Sequence, residues 1–151
     1  MTPTTFISAL TAAARASAEI TKIPASFTIA EAALESGWGS SQLAQHGFNL
    51  FGVKADSSWT GPTIDMNTRE FLNGEWVMQI ARWRSYDDWF GAIADHAEFL
   101  HSNPRYEAAF QTTNAEDFTR AVAAAGYATD PAYAEKIISI IRAHGLLALD
   151  V

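Results

Sequence analysis

Residues 63–83 read TIDMNTREFLNGEWVMQIARW, and this stretch decides the fold class. The Asn73-Gly74 dipeptide tolerates positive φ at both positions, as a two-residue type I′ hairpin turn requires. The flanking segments, Thr63 to Leu72 and Glu75 to Trp83, have the composition and alternation of β-strands. The turn also predicts the register, with three cross-strand pairs next to it: Leu72–Glu75, Phe71–Trp76 and Glu70–Val77.

Helical patterns precede the hairpin. A first helix is predicted near Thr5 to Lys22, and it must end before Pro24 because proline cannot continue a helix. A second helix runs from about Ser26 to Ser36, where Gly37 provides a left-handed C-terminal cap. A short helical turn carrying Leu43 follows before the chain enters the hairpin.

Helices resume after the hairpin, and each is predicted from a capping residue at its start. The three predicted starts are Ser85 with Asp88, Asn114 with Asp117, and Asp130 with Pro131. The last of these places proline at the first helical position, where its missing N–H is no loss. The sequence therefore predicts one α+β domain over residues 1–151, mostly helical with one central β-hairpin.

The composition excludes several classes of protein. Of the 151 residues, 48% are apolar and 18% are charged, which rules out a disordered polypeptide. Lys and Arg total 10 against 17 Asp and Glu, and this net charge of -7 argues against nucleic acid and anionic membranes as partners. No segment approaches the roughly 20 apolar residues that span a bilayer, so no membrane insertion is expected.

Metal chemistry and nucleophilic catalysis are also disfavoured. The chain has no cysteine, and its four histidines lack the spacing of a zinc site. It contains neither a glycine-rich phosphate loop nor the Gly-x-Ser-x-Gly frame of a serine hydrolase. We therefore expect no metal and no cofactor.

The Ala-rich segment from Phe6 to Ala18 has two possible interpretations, a secretory signal and a helix of the mature domain. A signal needs a basic start and an unbroken apolar core, whereas residues 1–5 carry no Lys or Arg and Arg15 interrupts the apolar run. Phe6, Leu10 and Ala13 recur at helical spacing. We therefore assign the segment to the first helix and expect synthesis in the cytoplasm without a signal peptide.

The stretch AEAALESGWG at residues 30–39 contains the first candidate for chemistry. Glu31 and Glu35 lie four residues apart, so they are neighbours on a helix surface and repel each other when both are ionised. Glu35 is in the last turn, where the helix dipole disfavours negative charge, and Leu34 and Trp38 would desolvate it. These effects raise the pKa of Glu35, as a general acid requires. The alternative is a solvated glutamate at the end of a helix.

Glu70 is the second candidate carboxyl. Taken alone, a strand position close to a tight turn is an ordinary place for a surface glutamate. A hairpin could, however, carry this carboxylate over a cleft that contains Glu35. Two carboxyls that flank a glycosidic bond are the minimum apparatus of most glycoside hydrolases.

The chain is rich in aromatic residues, with five Trp, four Tyr and nine Phe. Five of these fit the inner faces of helices and are assigned to packing: Trp89, Phe90, Phe99, Phe110 and Phe118. Trp38, Trp59 and Tyr127 lie in predicted loops beside glycines or turn residues. Because aromatic faces stack on sugar rings, these three are the better candidates for a binding groove.

Several motifs, taken in order, resemble one known family. They are AALESGWG at residues 32–39, NLFGVK at 49–54, TREF at 68–71, NPRY at 103–106 and AGYATDP at 125–131. Together they resemble the glucosaminidase family of peptidoglycan hydrolases, glycoside hydrolase family 73, over nearly the whole chain. One departure is Phe48, where many relatives have a second asparagine before Asn49.

The resemblance implies a lysozyme-like fold with a long groove for glycan strands. It places the family's general acid on Glu35, its hairpin carboxylate on Glu70, and a tyrosine that lines the site on Tyr127. Asp95 matches a further acidic position, and its location inside a helix favours a hydrogen-bonding role. Five residues are expected to form the substrate-binding surface: Trp38, Asn49, Phe51, Trp59 and Asp95.

The resulting hypothesis is an endo-β-N-acetylglucosaminidase, a monomer that cleaves the β-1,4 bond between N-acetylglucosamine and N-acetylmuramic acid in peptidoglycan. Glu35 protonates the leaving oxygen, while Glu70 either activates water or stabilises positive charge as the substrate's acetamido group attacks. Two alternatives stay open, a muramidase or lytic transglycosylase and a non-catalytic peptidoglycan-binding module. A bare domain without a leader favours a phage endolysin that reaches the wall by holin-dependent release.

Overall fold

Helices form most of the domain in the computed structural model, which describes residues 1–69 and 71–151 together with the main chain of Glu70. The regular elements in chain order are α1 (Pro3–Thr21), α2 (Ala25–Ser36), α3 (Gln42–Gly47), β1 (Thr63–Leu72), β2 (Glu75–Arg84), α4 (Trp89–Ser102), a first 3₁₀ helix (Pro104–Gln111), α5 (Ala115–Ala124), α6 (Tyr133–Ala143) and a second 3₁₀ helix (Leu146–Asp150). The predicted α+β class, mostly helical with a central hairpin, is confirmed.

Helix α1 covers one side of the domain. It begins at Thr2, whose side-chain oxygen accepts a hydrogen bond from the Thr5 N–H, and Phe6 and Leu10 bury its inner face. The helix ends at Lys22, which takes the left-handed conformation. Among the described helices, none combines the length and apolar character needed to cross a membrane.

Helix α2 is the central element of the fold. Ten of its twelve residues are buried, and it packs against α1, α5 and α6. A helix that is apolar on every side must be enclosed by neighbouring elements. The small side chains of the buried alanines at positions 30, 32 and 33 let those elements approach closely. This enclosure fixes the direction in which the last turn of α2 points.

The hairpin forms with the predicted register. Leu72 pairs with Glu75 and Phe71 with Trp76, while Asn73 and Gly74 both have positive φ as the type I′ turn requires. The two strands form a two-stranded antiparallel sheet, which an isolated bridge from Lys54 to Trp83 extends at its base. Several of its apolar side chains are exposed: Phe71, Leu72, Trp76, Met78 and Ile80.

The start of α4 differs from the prediction. Asp88, rather than Ser85, is the N-cap, and its carboxylate accepts a hydrogen bond from the Gly91 N–H at 2.9 Å. The main chain before it is already engaged, since the N–H of Ser85 donates to the Pro62 carbonyl and that of Tyr86 to the Gly47 carbonyl. These bonds attach the base of the hairpin to the helical body. As a result, α4 begins only after Asp88.

Of the predicted starts of the last two α-helices, that of α5 is confirmed and that of α6 is wrong. Asn114 caps α5 as predicted, with its side-chain oxygen accepting from the Asp117 N–H. The prediction for α6 is wrong by two residues, because Asp130 accepts from the Ala132 N–H and forms a turn before the helix begins at Tyr133. Neither 3₁₀ helix was predicted.

The corrected cap of α4 gives a stability prediction. Asp88→Ala removes the hydrogen bond to the first turn and should lower the free energy of unfolding by about 1 kcal/mol. Ser85→Ala is the matched control and should change it by less than about 0.5 kcal/mol. Urea denaturation of both variants measures the difference, and a larger loss for Ser85→Ala would contradict the capping assignment.

Candidate active site

The end of α2 places Glu35 at the surface of the domain. Gly37, Trp38 and Gly39 follow with three consecutive positive φ values, which end the helix abruptly. The buried Ser36 hydroxyl donates to the Ala32 carbonyl at 2.6 Å and accepts from the Gly39 N–H at 2.9 Å. Gly39 has a φ of 79°, and a Cβ there would also lie 3.2 Å from the Phe6 ring, so the turn favours glycine.

Glu35 opens onto a cleft of about 640 Å³. The cleft lies between the end of α2, the loop before the hairpin, the base of β2, α4 and the segment that follows α5. Its lining residues are Glu35, Phe51, Gly52, Val53, Lys54, Asp56, Arg84, Asp95, His96, Phe99, Tyr127, Ala128 and Thr129. A second pocket of about 440 Å³ lies between α1 and the start of α5 and contains none of the predicted site residues.

The environment of Glu35 favours its protonated form. Partial burial against the cleft wall raises the pKa of its carboxyl, and the negative charge of Glu31 raises it further, while His96 opposes the shift. The Glu35 side chain is nevertheless exposed on the cleft side, where a substrate can reach it. An accessible carboxyl that holds its proton more readily than an ordinary glutamate meets the first requirement of a general acid.

Tyr127, on the segment that follows α5, also lines the cleft. Burial raises the pKa of its hydroxyl well above the ordinary range, and the charge of Glu31 adds to the effect. Its ring packs near the rings of His96 and Tyr133, at centroid distances of 6.0 and 5.3 Å. The Tyr127 hydroxyl is therefore neutral, and it lies close to the buried carboxyl of Glu31.

Asp95 links α4 to the hairpin. Its Oδ2 accepts from Arg84 Nη1 at 2.8 Å and also from the Tyr86 hydroxyl. Burial raises the pKa of Tyr86, and the hydrogen bond to Asp95 raises it further. These contacts are the hydrogen-bonding role that the helical position of Asp95 suggested, although the residue also lines the cleft.

Two phenylalanines provide apolar surface in the cleft. Phe51 stacks on the His96 ring at 4.0 Å with the planes 11° apart, and because only 7% of it is exposed it forms part of the wall behind the cleft. Phe99 was assigned to packing, but it is 43% exposed and lines the cleft, so that assignment is wrong. Phe90, assigned in the same way, is also exposed.

Three of the predicted binding residues do not line the cleft. Trp38 packs edge-on against Phe6 at 5.6 Å and against the His144 ring at 4.9 Å, which gives it a packing role. Trp59 lies beneath the Arg84 guanidinium at 4.8 Å, and its indole N–H donates to a main-chain carbonyl. Trp59 therefore contacts the cleft only through Arg84.

Asn49 is the third of these residues, and its side chain is 1% exposed. Its amide nitrogen donates to the carbonyls of Val53 and Arg84, both at 2.9 Å, and its oxygen accepts from the Val53 N–H at 3.0 Å. A side chain with these partners fixes the loop to β2. The geometry assigns it to shaping the cleft wall in place of the predicted substrate contact.

The side chain of Glu70 lies outside the described residues. The register of the hairpin pairs its main chain with Val77, near the turn. Its predicted role as the second carboxylate stays a prediction.

The described side chains contain no group of three or more His, Asp or Glu residues placed to bind a metal ion. Two of the three acidic groups that line the cleft are engaged in other ways, since Asp95 accepts from Arg84 and Asp56 accepts from both Arg84 and Ser58. What the cleft offers is proton-transfer and hydrogen-bonding chemistry together with aromatic surface.

One feature of the site was missed by the sequence-based analysis. Glu31 was expected on a helix surface, yet it is fully buried and its Oε2 lies 2.8 Å from His96 Nε2. The signal was present, because α2 carries apolar residues on every side and so a glutamate in its middle must be enclosed. His96 could not be assigned as its partner, since 65 residues separate the two.

The sequence matches the family model named Glucosaminidase, described as mannosyl-glycoprotein endo-beta-N-acetylglucosaminidase, over residues 11–146. The chain belongs to the glucosaminidase family. The resemblance inferred from the motifs is thereby confirmed, as are the lysozyme-like fold and the assignment to the glycoside hydrolases.

Curated relatives of this glucosaminidase domain include the peptidoglycan hydrolase FlgJ of Salmonella typhimurium, 40% identical over 141 residues. That match covers 91% of this chain and 45% of the relative, so the chain spans about half the length of the FlgJ proteins it matches. The exo-glucosaminidase LytG of Bacillus subtilis is 35% identical, with 93% of this chain and 51% of the relative covered.

Solved structures share the fold. A C-terminally truncated glycoside hydrolase domain of Salmonella typhimurium FlgJ superposes with a TM-score of 0.83 at 38% identity, covering 95% of this chain and 97% of that one. The catalytic domain of the Listeria monocytogenes autolysin Auto superposes with a TM-score of 0.89 at 29% identity, covering 98% and 87%.

The buried amide of Asn49 leads to a prediction. Asn49→Ala removes three hydrogen bonds and leaves two main-chain carbonyls and an N–H without that partner, so the free energy of unfolding should fall by about 2–3 kcal/mol. Asn67→Ala, on an exposed position of β1, is the control and should change it by less than about 0.5 kcal/mol. Urea unfolding followed by circular dichroism tests both variants. Equal losses of unfolding free energy would contradict the structural role of Asn49.

Proposed function

We propose that this domain hydrolyses peptidoglycan glycan strands at the β-1,4 bond between N-acetylglucosamine and N-acetylmuramic acid, as an endo-β-N-acetylglucosaminidase. The observation that carries the proposal is Glu35, an accessible carboxyl at the end of a buried helix, whose pKa is raised by burial and which opens onto the cleft. The relatives named as peptidoglycan hydrolases and glucosaminidase support the substrate.

Glu35 acts as the general acid in this proposal. Its proton passes to the glycosidic oxygen as the bond to the leaving sugar breaks, and positive charge develops on the remaining ring. Tyr127 lines the cleft beside the bound glycan, and its raised pKa keeps its hydroxyl neutral. Phe99, which is 43% exposed, offers apolar surface on which a sugar ring stacks.

Glu70 supplies the second carboxylate. It either activates a water molecule or stabilises the positive charge while the substrate's acetamido group attacks. Support comes from its place on β1 in a hairpin whose base, at Arg84, is bonded to Asp95 in the cleft wall. The hairpin is thus attached beside the cleft that contains Glu35.

The remaining parts of the hypothesis concern the setting of the reaction. We propose action on the cell wall by a monomeric enzyme, with the glycan strand as its partner. The roles as a phage endolysin and as an antibacterial lytic enzyme stay predictions, as do synthesis without a signal peptide and holin-dependent release.

The general-acid assignment predicts the effect of Glu35→Gln. The variant keeps the size and polarity of the side chain but has no acidic proton, so kcat on purified sacculi should fall by at least about 100-fold. Glu107→Gln, an exposed change on the first 3₁₀ helix, should retain full activity. Turbidity loss of sacculi measures both, with circular dichroism to verify folding; a fully active Glu35→Gln would end the proposal.

The raised pKa of Glu35 also predicts the pH dependence. A general acid works only while protonated, so kcat/KM should fall as the pH rises through the pKa of Glu35. Because burial and Glu31 raise that pKa, the decline should be centred above the ordinary carboxyl value of 4.5. Initial rates on soluble glycan fragments between pH 4 and 9 measure how kcat/KM declines with rising pH. A decline centred at or below pH 4.5 would contradict the assignment.

The products distinguish the reaction from its alternatives. Mass spectrometry of digested, purified peptidoglycan should show reducing N-acetylglucosamine ends. Reducing muramic acid ends would indicate a muramidase, and anhydro-muramic acid ends a lytic transglycosylase. Sedimentation with sacculi without any cleavage would indicate a binding module, and activity in Glu70→Ala would favour a mechanism with one carboxylate.

A further inference from the structure

The two faces of the hairpin differ in exposure. On β2, Val77 and Ala81 are half-buried, whereas Trp76, Met78 and Ile80 are each more than half exposed. These three exposed residues alternate along the strand, so they lie on the same face. We call this side of the hairpin the outer face; it comprises alternate residues from 65 to 71 on β1 and from 76 to 82 on β2.

The outer face carries a continuous apolar patch. Phe71 lies opposite Trp76 in the cross-strand register, and their ring centroids are 5.1 Å apart. Met78 and Ile80 continue the patch toward the base of the hairpin. Single exposed apolar residues are common on protein surfaces, whereas adjoining ones are typical of an interaction site. None of these four residues lines the cleft, so the patch belongs to a separate surface.

A cation is built into this patch. The Arg69 guanidinium lies 4.6 Å from the centroid of the Trp76 ring, a cation–π contact, and Trp76 is still 61% exposed. Nearer the base, Arg82 pairs with Asp65 across the strands at 3.3 Å. The outer face therefore has one more cation than anion, in a chain whose net charge is -7.

This combination of groups suits a glycan that bears carboxylates. A sugar ring has an apolar face that stacks on an indole, and a guanidinium donates hydrogen bonds to carboxylate oxygens. Peptidoglycan offers both groups, sugar rings in its strands and carboxylates on its peptide stems. We propose, on the basis of the function proposed above, that the outer face is a second glycan-binding surface, which holds a peptidoglycan strand other than the one in the cleft.

Two features favour a glycan over other occupants of the outer face. The turn of the hairpin is polar, with Asn73 and Gly74 followed by Glu75, and burying these groups in a lipid layer would be unfavourable. A second copy of this chain would carry the same net charge of -7, which opposes its association. The excess cation of the outer face instead complements an anionic polymer.

The second surface gives the enzyme a hold on an insoluble substrate. While one strand is bound at the outer face, neighbouring strands of the same wall stay at a high local concentration near the cleft. The surface therefore contributes on intact sacculi. It contributes less on short soluble fragments, which occupy one site at a time.

The test compares Trp76→Ala with Phe90→Ala, which removes an exposed aromatic ring on α4, outside the hairpin. Sedimentation with purified sacculi gives a dissociation constant for each variant. Trp76→Ala should raise that constant about three- to tenfold because it removes the stacking surface. Phe90→Ala should leave it unchanged, and Trp76→Phe should restore most of the binding. Circular dichroism verifies that each variant folds.

Two further measurements separate glycan binding from a structural role. The loss of kcat/KM in Trp76→Ala should be at least about threefold greater on sacculi than on soluble glycan fragments, because only sacculi engage both surfaces. Arg69→Gln should weaken binding to sacculi, and amidation of the peptide carboxylates should remove that difference. Equal losses of kcat/KM on the two substrates would contradict the proposal.

A folded Trp76→Ala protein that sediments with sacculi like the wild type would overturn the inference. Binding to anionic phospholipid vesicles that Trp76→Ala abolishes, with sacculus binding unchanged, would assign the outer face to a lipid surface. A dimer in analytical ultracentrifugation that the same change dissociates would assign it to a second copy. Failure of the proposed function looks different: sacculi would stay uncleaved, while Trp76→Ala would still sediment with them more weakly than the wild type.

Discussion

The site depends on one constraint: α2 is enclosed on all sides, yet its last turn must reach the surface with a carboxyl. The alanine-rich sequence allows α1, α5 and α6 to approach closely, and this packing fixes the helix axis. Three left-handed residues, Gly37 to Gly39, then end the helix at Ser36. The location of the acid is therefore a consequence of how the core packs.

The same enclosure controls the charge at the site. Partial burial against the cleft wall makes the protonated form of Glu35 favourable, and the buried Glu31 adds repulsion. On the opposite side, Asp95 accepts hydrogen bonds from Arg84 and Tyr86 and so attaches α4 to the hairpin. Two carboxyl groups of the cleft thus lie in different environments, because Asp95 is paired with a cation and Glu35 is not. The difference between the two carboxyl groups arises from their surroundings and not from their residue type.

Local signals predicted the elements well, whereas long-range contacts escaped the sequence. Asn73-Gly74 gave the turn and the register, and Asn114 gave the cap of α5, since each acts within a few residues. Ser85 failed as a cap because its N–H and that of Tyr86 are bonded to carbonyls at Pro62 and Gly47. At the site, the motifs located Glu35, Phe51, Asp95 and Tyr127 in one cleft. Asn49 and Trp38 were misjudged because their buried partners are set by the tertiary fold.

The helical side of the cleft and the hairpin side are held in place by different contacts. The floor of the cleft is built from α2 and α4, which belong to the hydrophobic core. The hairpin contributes none of the buried apolar side chains among the described residues, and contacts at its base attach it to the body: the Arg84–Asp95 pair, the Lys54 bridge and main-chain bonds from Ser85 and Tyr86. Movement of the hairpin tip would therefore expose no core. It follows that the helical core fixes Glu35, while the hairpin can adjust at the strand that carries Glu70 without loss of the fold.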